Sequence, residues 1–90
     1  MQELVVDTHS VTGQSGQVYR YTYSILVDEM NVGRFACESY GVKIRDEISG
    51  HTAVVAHITP SIPRIDELMD LLIRNEVTPT GLQDVLDDWL

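Results

Sequence analysis

Apolar and polar residues alternate along the first two-thirds of the chain, then recur at three- and four-residue spacing along the last third. The first pattern is that of strands half-buried on one face, the second that of helices burying one stripe. From Gln2 to Thr8, Leu4, Val6 and Thr8 fall on one side and Val5, Asp7 and His9 on the other. Ser10 to Gln17 is small, polar and carries two glycines, so it reads as a loop. Val18 to Asp28 is the clearest strand. Tyr19, Tyr21, Tyr23, Ile25 and Val27 line one face, with Arg20, Thr22, Ser24 and Asp28 opposite, and the polar run Asp28–Asn31 is expected to turn.

Gly33 to Arg45 predicts a third strand with a change of parity. Phe35 and Cys37 hold odd positions, whereas Tyr40, Val42 and Ile44 hold even ones. A bulge or bend around Ser39–Gly41 would restore a common face. Asp46 to Gly50 predicts another turn, and Thr52 to Ile58 a short fourth strand that Pro60 ends.

Pro63 suits the first turn of a helix, after which Ile65, Leu68, Met69, Leu72 and Ile73 form one stripe. Asn75 is the expected left-handed stop. Thr78 followed by Pro79 reads as a cap and first helical position, with Val77 placed to pack on Leu82 as a hydrophobic staple. Leu82, Val85, Leu86, Trp89 and Leu90 form a second stripe, so the chain end is expected to be buried. Helices of about a dozen residues are marginal alone in water, so both stripes must pack on something. The tyrosine-rich sheet face is the obvious surface. The expected architecture is one α+β domain over residues 1–90. An antiparallel meander of about four strands spans 2–58, and a helical hairpin over 63–90 covers one of its faces.

Composition narrows the function classes. The chain is 43% hydrophobic and 22% charged, too apolar for disorder and without the apolar run of a membrane span. Met1-Gln2-Glu3 lacks a basic leader, so no signal peptide is expected. The single cysteine, Cys37, fits a reducing compartment, and a cytoplasmic location is the expectation. Fourteen acidic against six basic residues give a net charge of −8. That charge repels nucleic-acid backbones and acidic membranes, so neither is an expected partner.

Two short motifs carry a resemblance. Tyr40-Gly41-Val42-Lys43-Ile44, followed by Asn75, Thr78-Pro79, Leu82, Asp84-Val85 and Asp88, resembles a family of small uncharacterised proteins from Firmicutes, a domain of unknown function. Its members carry a Tyr-Gly-Ile-like strand and a C-terminal Pro-x-x-Leu-x-Asp-Val-like helix. The resemblance covers roughly Tyr19 to Leu90 and implies a bacterial cytosolic source. It brings no catalytic residues.

Few residues present chemistry. His9, His51 and His57 lack the close spacing of a zinc site, and no cofactor or metal is expected. Cys37 neighbours Glu38 and shares a strand face with Phe35, the setting of an inert thiol rather than of an activated nucleophile. Asp84, Asp87 and Asp88 place acids along the last helix, two of them at its C-terminal end, where they oppose the helix dipole. Lys43 and Arg45 are the expected counter-charges. An acidic docking face for a basic partner is the functional alternative. The expected function is therefore that of a small non-catalytic interaction or regulatory module with an unidentified protein partner. Two-fold self-association through the uncovered sheet face is expected as well. A small-molecule enzyme using Cys37 or the histidines is the alternative.

Overall fold

The structure, a computed structural model, describes residues 1–90. Four strands follow one another: β1 (Gln2–Thr12), β2 (Val18–Val32), β3 (Phe35–Asp46) and β4 (Thr52–Thr59). They pair in chain order and antiparallel throughout, the expected meander. Two helices follow, α1 (Ile62–Arg74) and α2 (Leu82–Trp89), the latter entered through a single 3-10 turn at Pro79–Gly81. Both lie on one face of the sheet. There Ile65, Leu68, Met69, Leu72, Leu82 and Leu86 bury Tyr21, Tyr23, Val42 and Ile44. Tyr21 and Tyr23 of β2 are thus core residues with Tyr19 partly buried beside them, and Tyr23 is fully buried with its hydroxyl donating to the Val77 carbonyl at 3.0 Å.

Several local expectations are corrected. Ser10–Thr12 belong to β1 rather than to a loop, because Val11 pairs with Tyr19 and packs against the core. A register shift between Val5 and Asp7 breaks the simple alternation of β1. Leu4 therefore shares the helix side with His9 and Val11 rather than with Thr8. The turn expected at Asp28–Asn31 lies further on, because these residues continue β2 and pair with Ala36–Ser39. The chain reverses instead at Gly33-Arg34. Gly33 takes a φ of 62° and Arg34 does not share it, the pattern of a two-residue hairpin loop with glycine first.

The parity change in the third strand is real, but β3 does not bulge to correct it. Its pairing with β2 is continuous, so Tyr40, Val42, Ile44 and Asp46 face the helices while Phe35 and Cys37 face away. The irregularity sits in β4. Val42 opposes Val55, yet Tyr40 opposes Thr59, so three residues of β4 (Ala56, His57 and Ile58) stand opposite the single residue Gly41. His57 takes a left-handed φ of 55° within this bulge. Gly41 serves close approach: a Cβ there would lie 2.3 Å from the Val55 carbonyl oxygen and 2.7 Å from the Ala56 Cα.

The helix ends also differ from expectation. Ser61 caps α1 by accepting from the Arg64 amide, so the helix starts one residue before Pro63. Asn75 is not left-handed; Glu76 is, at a φ of 50°. The Glu76 amide donates to Ile73 and the Val77 amide to Leu72, the paired bonds of a Schellman stop in which Val77 also closes on the core. Thr78 accepts from the Gly81 amide as expected of a cap, and Val77 and Leu82 both join the core. The chain end is less buried than its stripe implied. Trp89 is half-buried with the Arg64 guanidinium 4.1 Å above its ring, and Leu90 is 75% exposed because the helix stops before carrying it onto the sheet.

Candidate functional site

The sheet is long and narrow, and this decides what it presents. The molecule measures 54 × 24 × 17 Å, and β2 runs most of that length. β1 pairs with β2 only as far as Val27, and β4 with β3 only as far as Tyr40. Beyond those points Asp28–Val32 and Phe35–Ser39 pair with each other alone. They form a two-stranded arm that extends past the body of the sheet.

The arm has two unlike faces. On the side away from the helices, Met30 stands opposite Cys37 and Val32 opposite Phe35. Phe35 is 76% exposed and Val32 58%, with Met30 also exposed and Cys37 half-buried. On the helix side Glu29 stands directly opposite Glu38, and Asn31 opposite Ala36. Like charges placed directly across a strand pair are unfavourable, and a two-stranded ribbon is marginal in water. Nothing in the local pairing accounts for an apolar stripe kept on such an element. Cys37 and Phe35 share one face, as their parity predicts, but a turn at Asp28–Asn31 would leave no arm, and the chain reverses later. The Gly-Arg pair at 33–34, between two alternating runs, was the available signal.

The rest of that sheet face is closed rather than apolar. Lys43 reaches across β2 to Glu3 at 2.8 Å, and Glu3 also accepts from Ser24 at 3.1 Å, so Ser24 is buried beneath the pair. The Lys43 ammonium holds the Glu3 carboxyl below its usual range, and the Ser24 hydroxyl adds to this. Leu26, opposite Gly41, is buried as well. The open face expected from the sequence is thus reduced to the arm and to scattered valines such as Val5, Val18 and Val54.

Two concavities flank the helices. A groove of about 300 Å3 lies between the start of α1 and the sheet, lined by Leu4, Ile25, Val27, Tyr40 and Ile62 with Glu38 and Asp66 at its rim. The second, about 370 Å3, is polar and is bounded by Tyr19, Tyr21, Asp46, His51, Thr78 and Thr80. Burial, reinforced by the nearby Asp46 carboxylate, raises the Tyr21 hydroxyl pKa. Burial pushes Asp46 the other way from its hydrogen bonds, but the Ile48 and Ser49 amides and the Ser49 hydroxyl prevail and hold it low. Asp46 is thereby committed to shaping the 46–50 turn.

The remaining candidates lie apart. His9 accompanies Asp7 at 2.9 Å and stacks on Tyr23, His51 edges the polar pocket, and His57 stands 3.7 Å from Asp28. No group of three potential metal ligands comes together. Cys37 lies on the arm, opposite Met30. Asp84, Asp87 and Asp88 are all exposed on α2, but the counter-charges expected for them are engaged elsewhere: Lys43 with Glu3, and Arg45 with Glu47 at 3.4 Å. Asp84 sits in the first turn of α2, where the dipole favours it, and Asp87 accepts from Gln83 at 3.0 Å.

These features define a small α+β protein: a four-stranded meander, one face under two helices, and a projecting amphipathic hairpin. The chain belongs to a family of unknown function, DUF6514, whose profile matches residues 2–90. No curated protein and no solved structure matched it. No helix is long and apolar enough to cross a membrane.

Proposed function

We propose that this chain is a non-catalytic protein-interaction module of the bacterial cytoplasm that engages its partner through the β2–β3 arm. One observation carries the reading. An element with no flanking strand keeps Met30, Val32 and Phe35 exposed on one face, a costly surface unless something covers it. Both outer edges of the arm also leave backbone groups unpaired, which suits recognition by a second chain. The separation of Cys37 from the histidines' polar surroundings further supports a binding role. The alternative, a small-molecule enzyme, has only the Asp7–His9 pair in its favour. Asp84, Asp87 and Asp88, exposed and with Lys43 and Arg45 engaged elsewhere, are a second contact surface for a basic partner.

A photo-crosslinking residue placed at Val32 in the native cell tests the reading. Discrete adducts are expected from Val32 and not from a comparably exposed control at Val54, on the same side of the sheet but outside the arm. Equal labelling from both positions would refute it.

A further inference from the structure

We infer that the groove at the start of α1 receives an apolar side chain of a partner protein, flanked in the partner's sequence by lysine or arginine. The groove lies on the helix side of the sheet, opposite the arm's apolar face, and stands independently of what covers that face. It is lined by Ile25 and Val27 of β2 and Tyr40 of β3, with Leu4 and Ile62 beside them. Leu4 and Ile62 stay 47% and 57% exposed, so apolar surface is left open to an occupant. A volume of about 300 Å3 is at the lower limit of small-molecule sites. It takes one large side chain rather than a nucleotide or a cofactor.

Charge decides what must flank that side chain. Glu38 lines the groove from β3, one strand repeat of about 7 Å from Tyr40, and Asp66 lines it from α1. Glu29, directly opposite Glu38, adds a third carboxylate at the root of the arm. None of the three has an ion-pair partner in its own chain. Lys43, Arg45, Arg64 and Arg74 are engaged by Glu3, Glu47, Glu67 and Asp70. The Met1 amine, next to Gln2 of the lining, faces Asp28 at 3.7 Å. The Tyr40 hydroxyl donates to Glu38 at 2.8 Å and so holds that carboxylate at the mouth. Like charges straight across a strand pair are unfavourable, and a cation seated between Glu29 and Glu38 relieves them. An apolar socket with unpaired carboxylates on two elements is therefore complementary to an apolar residue between two cationic ones. An extended segment reaches both Glu38 and Asp66, whereas a compact amine meets one of them.

Amide chemical shifts of the full chain, titrated with the peptide acetyl-Lys-Leu-Lys-amide, test the inference. Saturable shifts are expected at Leu4, Val27, Tyr40 and Ile62, with a dissociation constant on the order of 1 mM for so short a probe. Serine in place of the peptide's leucine, or glutamate in place of its lysines, should weaken binding at least ~10-fold. Glu38→Gln and Asp66→Asn should each raise the dissociation constant about 2–5-fold without lowering the melting temperature, since both side chains are exposed. No saturation at these amides up to about 10 mM peptide would overturn the inference, as would equal binding of the glutamate peptide. Binding of n-hexylammonium as tight as that of the peptide would overturn it in favour of a small amine. Concentration-dependent shifts of the same amides in the protein alone would overturn it in favour of a second copy. Adducts at Val32 without peptide in the groove would remove the groove and leave the arm, and peptide in the groove without adducts at Val32 would do the reverse.

Discussion

Adding one methyl group at Gly41 drives β3 into the backbone of β4. In Gly41→Ala the new carbon would stand 2.3 Å from the Val55 carbonyl oxygen, 2.7 Å from the Ala56 Cα and 3.2 Å from its carbonyl carbon. Ordinary contact begins near 3.4 Å, so β4 must retreat by about 1 Å. The obstructing atoms are main chain, and no side-chain rotation relieves them. Overpacking of a filled site costs about 1–3 kcal/mol. Retreat of β4 also strains the ladder where Val42 opposes Val55, at about 1 kcal/mol for each hydrogen bond lost. The sum is about 3 kcal/mol, a large share of the ~5–15 kcal/mol that holds a domain folded. For a chain of this size each kcal/mol moves the melting temperature by about 4–8 °C, so a drop of roughly 15 °C is expected.

Thermal and urea melts followed by circular dichroism measure this directly. Gly50→Ala is the control: its φ of 79° strains a side chain, but no atom lies within 4 Å of the added carbon. It should cost only about 1–2 kcal/mol. If Gly41→Ala melts within a few degrees of the parent, or above Gly50→Ala, the account of the β4 bulge is wrong.

Glu76→Gly should stabilise the protein by up to ~1 kcal/mol in urea melts, since glycine takes the left-handed stop of α1 without strain. Tyr23→Phe should cost about 1–2 kcal/mol at neutral pH by leaving the Val77 carbonyl without its donor. Burial pushes the Tyr23 hydroxyl up to about 12, above its ordinary 10, so the folded state holds this proton more tightly. The resulting stability is complete below pH 10 and is lost as pH rises toward 12. An alkaline series of melts should show a loss on the order of 2 kcal/mol that Tyr23→Phe lacks. Conversely, the depressed Glu3 and Asp46 carboxyls contribute stability that is lost on acidification below their ordinary values of 4.5 and 3.8. Glu3→Gln should accordingly flatten part of the acid limb of a pH–stability curve. Trp89→Ala should cost about 2 kcal/mol through lost packing and the lost contact with Arg64, while Leu90→Ala should be within ~0.5 kcal/mol of neutral.

The strand order and the helix cover were legible because they follow from period and proximity. The tyrosine face of β2 could only pack under the stripes of α1 and α2. What remained hidden was decided by pairing partners. Whether Asp28–Asn31 turns or continues depends on Ala36–Ser39 lying opposite, which composition does not reveal. The parity change at Gly41 was visible, but its resolution belongs to β4, where Ala56–Ile58 yield instead. Glu76 adopts a conformation that Asn75 is better suited to, because the Val77 side chain must reach the core one residue later. The acids of α2 are visible as charges, yet the counter-ions expected for them are engaged elsewhere, because Glu3, distant in sequence, lies beside Lys43. The arm is hidden in the sequence for the same reason as the turn.

The meander closes in chain order, whereas its cover arrives last. Hairpins form in about 1–10 μs, so β1 to β4 can assemble as soon as Thr59 is available. The bond from Tyr23 to Val77 spans 54 residues and waits for the helices. Until α1 and α2 have docked on it, the broad face of the sheet meets water. Tyrosine is well suited to that interval. Its hydroxyl keeps Tyr19, Tyr21 and Tyr23 hydrated on a nascent sheet that phenylalanine or isoleucine would make adhesive. When α1 and the 3-10 turn arrive, Tyr23 exchanges its water for the Val77 carbonyl, and the same side chains that kept the sheet dispersed become its core.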